Sequence, residues 1–342
     1  MIRMLFALVA FALFSTGAVR GSAQDSAPTV IATTTILADI AAQVSGGLVD
    51  VQSLLPPDAD THAYQPGVED AARITEADLL LTVGMGYEAF LGGLLEAAGA
   101  DVPVIVVSNG IEILAFGGHD QDDQAEAEPG AFEVIGVLGD GLECEAEQEE
   151  GEATADAALD EAHEHGACDP HVWMNPLNMI AWAENIAEAF AQIDSANADT
   201  YRANAAAYAA QLEALDLDLA QQIAEIPEDR RVLVTNHEFM AYFAHHYGFE
   251  IAATVIPGGS TDAEVDPQAL AELITLVQEE GVPAIFSEAS ANAAVAELVA
   301  QEAGVAIVTT LFSEALSAPG GGAPTYLDFM RANVGTIVNA LR

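Results

Sequence analysis

Apolar and polar positions along this chain switch repeatedly between two periods. A β-branched, apolar run over residues 29–35 predicts a strand, and residues 36–44 repeat at helical spacing. A second strand is expected over 49–55, stopped by Pro56-Pro57. A polar loop covers 58–66. Then come a helix over 68–76, a buried strand over 79–83, a helix over 86–99 and a strand over 102–108. Strands alternating with helices at this spacing imply βαβ units and a parallel sheet.

The pattern breaks over residues 118–167, where Asp and Glu dominate; this reads as a solvated insertion, with 132–138 as a short strand or hairpin arm. Helical periodicity returns over 177–193, with Trp182, Ile186 and Phe190 on one face. An Ala-rich run over 199–226 places Tyr201, Ala205, Tyr208, Leu212, Leu215 and Leu219 on one stripe before Pro227. Such a helix spans roughly 40 Å, long enough to serve as a backbone between two lobes. Alternation then restarts: strand 231–235, a helix opening at Asn236, strand 251–256, a helix over 267–280 begun by Asp266, strand 284–288, helix 292–303, strand 306–310 and helix 326–341. The expected fold class is α/β, with two lobes, each a parallel-type sheet flanked by helices, joined by one long backbone helix. The expected boundaries are 28–195 for the first lobe, 196–227 for the linking helix and 228–342 for the second lobe.

Composition narrows the function. The chain has 342 residues and a formal charge of −46, with no Lys and eight Arg. Such a surface repels phosphate backbones, which argues against nucleic-acid binding, and attracts cations. A salty or acidic habitat accounts for most of the charge. Residues 1–23 read as a secretory signal: Arg3, an apolar run over 5–14, and small residues Gly21-Ser22-Ala23. No Cys follows the apolar run to accept a lipid, so the mature chain is expected to be soluble in the periplasm or at the cell exterior. The two cysteines, Cys144 and Cys168, read in an oxidising compartment as a disulfide; the alternative is Cys168 as a thiolate metal ligand.

The candidate chemistry centres on Cys168-Asp-Pro-His171-Val-Trp-Met-Asn-Pro176, where Asp-Pro and Asn-Pro restrict the backbone on either side of one histidine. Taken singly, a His beside Trp reads as well as a packed core residue. Four loops, however, share one position, the carboxyl end of an expected strand, where α/β sheets bind ligands. They carry His62, His171, His237 and Glu314. Three imidazoles and one carboxylate are a complete set for four-coordinate zinc. His119, His163 and His165, in or beside the acidic insertion, read as surface histidines first and as weak metal collectors second.

Several stretches resemble the solute-binding proteins of ATP-binding-cassette importers for zinc and manganese. They are Asp60-Thr-His-Ala-Tyr-Gln-Pro66, Ala77-Asp-Leu-Leu-Leu-Thr-Val-Gly-Met-Gly-Tyr-Glu88, Asp169-Pro-His-Val-Trp-Met-Asn-Pro176, Asn236-His-Glu-Phe-Met-Ala-Tyr-Phe243 and Ile285-Phe-Ser-Glu288. The resemblance implies two lobes joined by a rigid helix and a metal held between them by His62, His171, His237 and a C-terminal acid. That acid is usually Asp in the family; here Glu314 takes its place. The resemblance also implies a membrane permease and its cytoplasmic ATPase as partners, with the binding protein a monomer. Manganese-binding relatives tend to have a carboxylate where this chain has its third His. Imidazole suits zinc, so Zn²⁺ is expected over Mn²⁺, although copper would also bind such a set.

An enzyme is the first rival. Were Glu314 not a ligand, three His would leave zinc an open water position, with Glu288 or Glu238 as base. Against this, there is no His-Glu-x-x-His helix, and Glu288 reads better as a partner orienting a ligating His. Binding of another solute, such as an iron chelate, would call for Arg in the cleft, where basic residues are scarce. A cell-adhesion role at the surface remains as an addition. The expected activity is capture and delivery, without bond chemistry.

Overall fold

A computed structural model describes residues 27–99, 101–115, 132–139, 144, 168–256, 267–288 and 293–342. The signal segment 1–23, most of the insertion over 118–167, His119, His163, His165, Asp266 and Asn292 lie outside the described residues.

The first half forms strand β1 (Thr29–Ala32), helix α1 (Thr35–Ser45), β2 (Asp50–Ser53), α2 (Val68–Thr75), β3 (Leu79–Thr82), α3 (Leu91–Ala98) and β4 (Val104–Val106). Its sheet has order β2-β1-β3-β4 and is parallel throughout. The short β5 (Glu112–Leu114) and β6 (Val134–Val137) pair antiparallel beside it. Helices α4 (Asn178–Ile193) and α5 (Ala198–Ile223) follow. The second half runs β7 (Val232–Thr235), α6 (Ala241–Tyr247), β8 (Glu250–Thr254), α7 (Pro267–Glu279), β9 (Ala284–Glu288), α8 (Ala294–Ala303), β10 (Ala306–Leu311) and α9 (Tyr326–Leu341). Its sheet is also parallel, in the order β10-β9-β7-β8. The α/β class with two parallel sheets is therefore as expected.

Both sheets are buried on two faces, which explains their continuous apolar runs. In β3, Leu79 and Leu81 point into the central core, and Leu80 points into an outer cluster with Ile74 and Leu94. In the second sheet, Leu233 and Phe286 face the same central core, and Val234 and Ile285 face an outer cluster with Val277 and Val299. The central core continues from one sheet to the other through Trp182 of α4, Leu212 and Leu219 of α5, and Phe329 of α9. Helix α5, with 26 residues, spans about 39 Å. Its buried stripe contains the six positions expected from the sequence, extended by Ile223.

Several element boundaries differ from the sequence expectation, and three have a clear local reason. β1 ends at Ala32 because Thr34 leaves the strand to cap α1, its hydroxyl accepting from the Leu37 N–H at 3.2 Å. Helix α3 begins at Leu91, not at Gly86, because Gly84, Met85 and Gly86 all take positive φ (93°, 59° and 73°). A Cβ at position 84 would lie 2.5 Å from Val106 Cγ1, so only glycine fits the turn. Helix α6 begins at Ala241, not at Asn236. The carbonyl of Asn236 accepts from the Ile256 N–H (2.8 Å) and that of His237 from the Thr235 hydroxyl (2.8 Å), so neither joins a helical ladder. β5 had no counterpart in the sequence reading.

Cys144 and Cys168 are bonded to each other, 24 residues apart. Cys168 is therefore not a thiolate ligand.

Candidate metal centre

The carboxyl ends of the two sheets face each other across the central core. The loop after β2 carries His62, the turn after β7 carries His237, and the segment after β10 carries Glu314. His171 arrives differently from expectation. It follows no strand of either large sheet; the segment before it makes one antiparallel bridge, Cys168 to Ala115, and a single 3₁₀ turn (Val172–Met174) comes after. The four side chains nevertheless converge, and one donor atom from each lies within 4.8 Å of all the others. His171 and His237 are fully buried and Glu314 is 1% exposed; His62 is the most open, with 4% of its side chain accessible. The imidazole centroids are 5.4, 5.6 and 6.3 Å apart.

Three of the four ligand candidates, His171, His237 and Glu314, are aimed by a contact outside the set. Asp169 Oδ1 lies 2.8 Å from His171 Nδ1 and accepts from the His171 N–H at 2.9 Å. A carboxylate only accepts, so Nδ1 carries the proton and Nε2 presents its lone pair to the centre. Glu288 Oε1 lies 2.6 Å from His237 Nδ1, so Nδ1 carries a proton there as well and Nε2 is the atom turned to the centre. The other oxygen of Glu288 accepts from the Ser313 hydroxyl at 2.6 Å. Both of its oxygens thus have partners other than the centre, His237 Nδ1 and the Ser313 hydroxyl. Glu314 Oε2 accepts from the Thr61 N–H (2.8 Å), leaving Oε1 2.8 Å from His62 Nε2 and 3.5 Å from His237 Nε2. Aromatic walls fix the ring planes: Phe239 stacks on His237 at 5.0 Å, and Trp173 meets His171 edge-on at 5.2 Å. Glu238, the other base considered for an enzyme, lines a groove beside β8 and α7.

The sequence reading did not find Asp169, Thr61 or Ser313 as positioning groups. Asp169 had a signal, an acid two residues before a His with Pro between. Thr61 acts through its backbone, and Ser313 acts on a residue 25 positions away, so neither had one.

Electrostatics prepare the centre for a cation. For His237, burial opposes the charged ring, but Glu288 and Glu314 outweigh it and push the pKa up to about 9. Burial likewise opposes the Glu314 carboxylate, and His62, His237 and His171 outweigh it, holding the group at about 2. His171 is lowered, mainly by burial. Three imidazole nitrogens and a carboxylate oxygen form a donor set that fits a borderline-soft divalent ion.

The two halves are stitched together around this centre. Trp173 Nε1 donates to the Ser313 carbonyl (2.7 Å), Leu316 N–H to Thr35 Oγ1 (2.8 Å), Asp58 N–H to the Leu316 carbonyl (3.1 Å) and Tyr242 OH to the Asp169 carbonyl (2.9 Å). Asp58 sits at φ 59° to make its crossing.

Comparison with known proteins gives consistent results. The family zinc-uptake complex component A, periplasmic, matches residues 30–340. The iron-binding protein YfeA of Yersinia pestis is 31% identical over 338 residues, covering 97% of this chain and 94% of the relative. The manganese-binding lipoprotein MntA of Bacillus subtilis is 30% identical over 351 residues, covering 98% and 99%. Among solved structures, the periplasmic zinc-binding protein TroA of Treponema pallidum superimposes with a TM-score of 0.71 at 25% identity, over 92% of this chain and 99% of that one.

Proposed function

Since this chain belongs to the zinc-uptake complex component A family of periplasmic proteins, we propose that it is the metal-binding protein of an ATP-binding-cassette importer. It captures Zn²⁺ between its lobes through His62, His171, His237 and Glu314, and hands it to a membrane permease driven by a cytoplasmic ATPase. The observation that carries this reading is the convergence of the four buried donor atoms within 4.8 Å. Three nitrogens and one oxygen favour zinc on ligand chemistry. Mn²⁺ is the second reading, favoured by the similarity to a manganese-binding lipoprotein. Glu314 supports binding over catalysis, because it fills the position that a hydrolytic zinc site leaves to water.

The chain acts as a monomer outside the cytoplasmic membrane after loss of residues 1–23. Among the described residues no helix is long and apolar enough to cross a membrane. The test is elemental analysis of the chain after exposure to equimolar Zn²⁺ and Mn²⁺, alongside His171→Ala. One zinc per chain, lost in the variant, is expected. One manganese in its place would move the assignment to the second reading, and no bound metal would overturn the site.

A further inference from the structure

His171 belongs to the first half of the chain, but side chains of the second half hold the segment around it. The carbonyls of Pro170, His171 and Val172 accept within the segment, from the N–H groups of Val172 (2.8 Å), Met174 (3.1 Å) and Asn175 (3.3 Å). The carbonyls just outside them, two residues before and two residues after His171, each accept from a buried tyrosine. The Tyr242 hydroxyl, on α6, donates to the Asp169 carbonyl at 2.9 Å and accepts from the Leu114 N–H at 3.1 Å. The Asp169 N–H donates to the Leu114 carbonyl at 2.9 Å, so Leu114, Asp169 and Tyr242 close a ring of three hydrogen bonds. At the other end, the Tyr326 hydroxyl, from the first turn of α9, donates to the Trp173 carbonyl at 2.7 Å. Tyr326 is held in its turn by α1, where Asp39 Oδ2 accepts from the Tyr326 N–H at 2.9 Å. The Trp173 ring, edge-on to His171, donates to the Ser313 carbonyl, and the Ser313 hydroxyl donates to the carboxylate of Glu288 that holds His237.

We propose that Tyr242 and Tyr326 are positioning residues for the metal, gripping the His171 turn at its two ends and so fixing the direction in which His171 Nε2 points. The inference rests on the reading of His62, His171, His237 and Glu314 as a zinc site. A ligand nitrogen has to be held within about 0.5 Å and 10–20° of its working geometry. Asp169 sets the tautomer and rotation of the ring, but its carboxylate travels with its own backbone. Its aim is therefore only as good as the hold on that backbone, and Tyr242 supplies the hold. Trp173 walls the ring on the other side, and Tyr326 does the same for its backbone. Loss of either hydroxyl leaves a buried carbonyl without its partner and frees one end of the turn. The turn then samples more arrangements, and zinc has to select the working one from among them.

The test titrates the chelator-treated full chain with Zn²⁺ and, as a spectroscopic probe, with Co²⁺. Tyr242→Phe and Tyr326→Phe each remove one hydroxyl and keep the ring in the core. Tyr201→Phe is the control, because it removes a 2.6 Å hydrogen bond to Asp194 that touches neither the ligand candidates nor the groups that aim them. Each of the two variants is expected to bind one Zn²⁺ about 3- to 10-fold more weakly in chelator competition, and the double variant about 10- to 100-fold more weakly. Zinc release should quicken in step. The visible absorption bands of bound Co²⁺, which report ligand geometry, should shift in both variants and stay at their wild-type positions in the control. Wild-type zinc affinity and Co²⁺ bands in both variants, with only the melting temperature lowered, would overturn the inference and leave the zinc site standing. Equal losses in the control would also overturn it, by showing that any missing tyrosine hydrogen bond loosens the site. A wild-type chain that binds neither ion would overturn it together with the zinc reading.

Discussion

At the scale of single residues, a proton and a metal ion would compete for the same imidazole. His237, pushed up to about 9, is charged at neutral pH and faces Glu314, held at about 2. Zinc must displace that proton. Calorimetry in buffers of different ionisation enthalpy should show about one proton released per zinc from His237 between pH 7 and 8, with affinity falling as pH drops. Linkage also sets the stability of the metal-free chain. A raised His contributes stability below its ordinary value of 6.5, lost as pH rises through 9. A depressed Glu contributes above its ordinary 4.5, lost as pH falls towards 2. The pair therefore stabilises most between these ordinary values; because Glu288 is the larger support of the raised His237, thermal melts of Glu288→Gln should lose most of the decline between pH 6.5 and 9, and those of Glu314→Gln only part of it. Glu288→Gln, which weakens the hold on His237 Nδ1, should cost roughly 10- to 100-fold in zinc affinity. His171 was legible because prolines and aromatics surround it in sequence. Thr61 and Ser313 were not, because one acts through its backbone and the other through a contact only the fold creates.

At the scale of elements, α5 is the part whose burial the sequence foretold most fully, since seven buried positions recur at intervals of three and four residues. Leu212, fully buried in the core shared by both sheets, makes a direct test: Leu212→Ala should destabilise by about 2–5 kcal/mol in denaturant titration. The starts of α3 and α6 were misjudged because periodicity sees apolar spacing and not carbonyl partners. Gly84-Met85-Gly86 and Asn236-His237 carry helical-looking neighbours, but their backbones are committed to a left-handed turn and to cross-strand bonds. β5 is three residues long, too short for alternation to register. The disulfide ties Cys168, two residues ahead of Pro170, to Cys144 across 24 residues. In the chain-entropy account Cys144→Ser should cost about 3 kcal/mol, measured by thermal unfolding of the metal-free chain.

At the scale of the whole molecule, the lobes are joined around the centre by hydrogen bonds between protein groups alone, through Trp173, Tyr242, Thr35, Asp58 and Thr61. Small-angle scattering of metal-free and zinc-loaded chains should therefore superimpose; a radius of gyration several ångströms larger without metal would contradict this rigidity. The two-lobed plan was readable from alternating periods, whereas the closeness of the lobes was not, because it rests on hydrogen bonds between residues as much as 287 positions apart. The unbroken core bears on ancestry as well as on mechanics. Leu81, Trp182, Leu212, Phe286 and Phe329 belong to one apolar body, although they come from both ends of the chain. Neither half owns its interior. A gene fusion that exchanged one lobe with a distant relative would bring together surfaces never fitted to each other. Exchanges limited to the outer clusters behind α2 and α3 and behind α7 and α8 would leave that shared body intact.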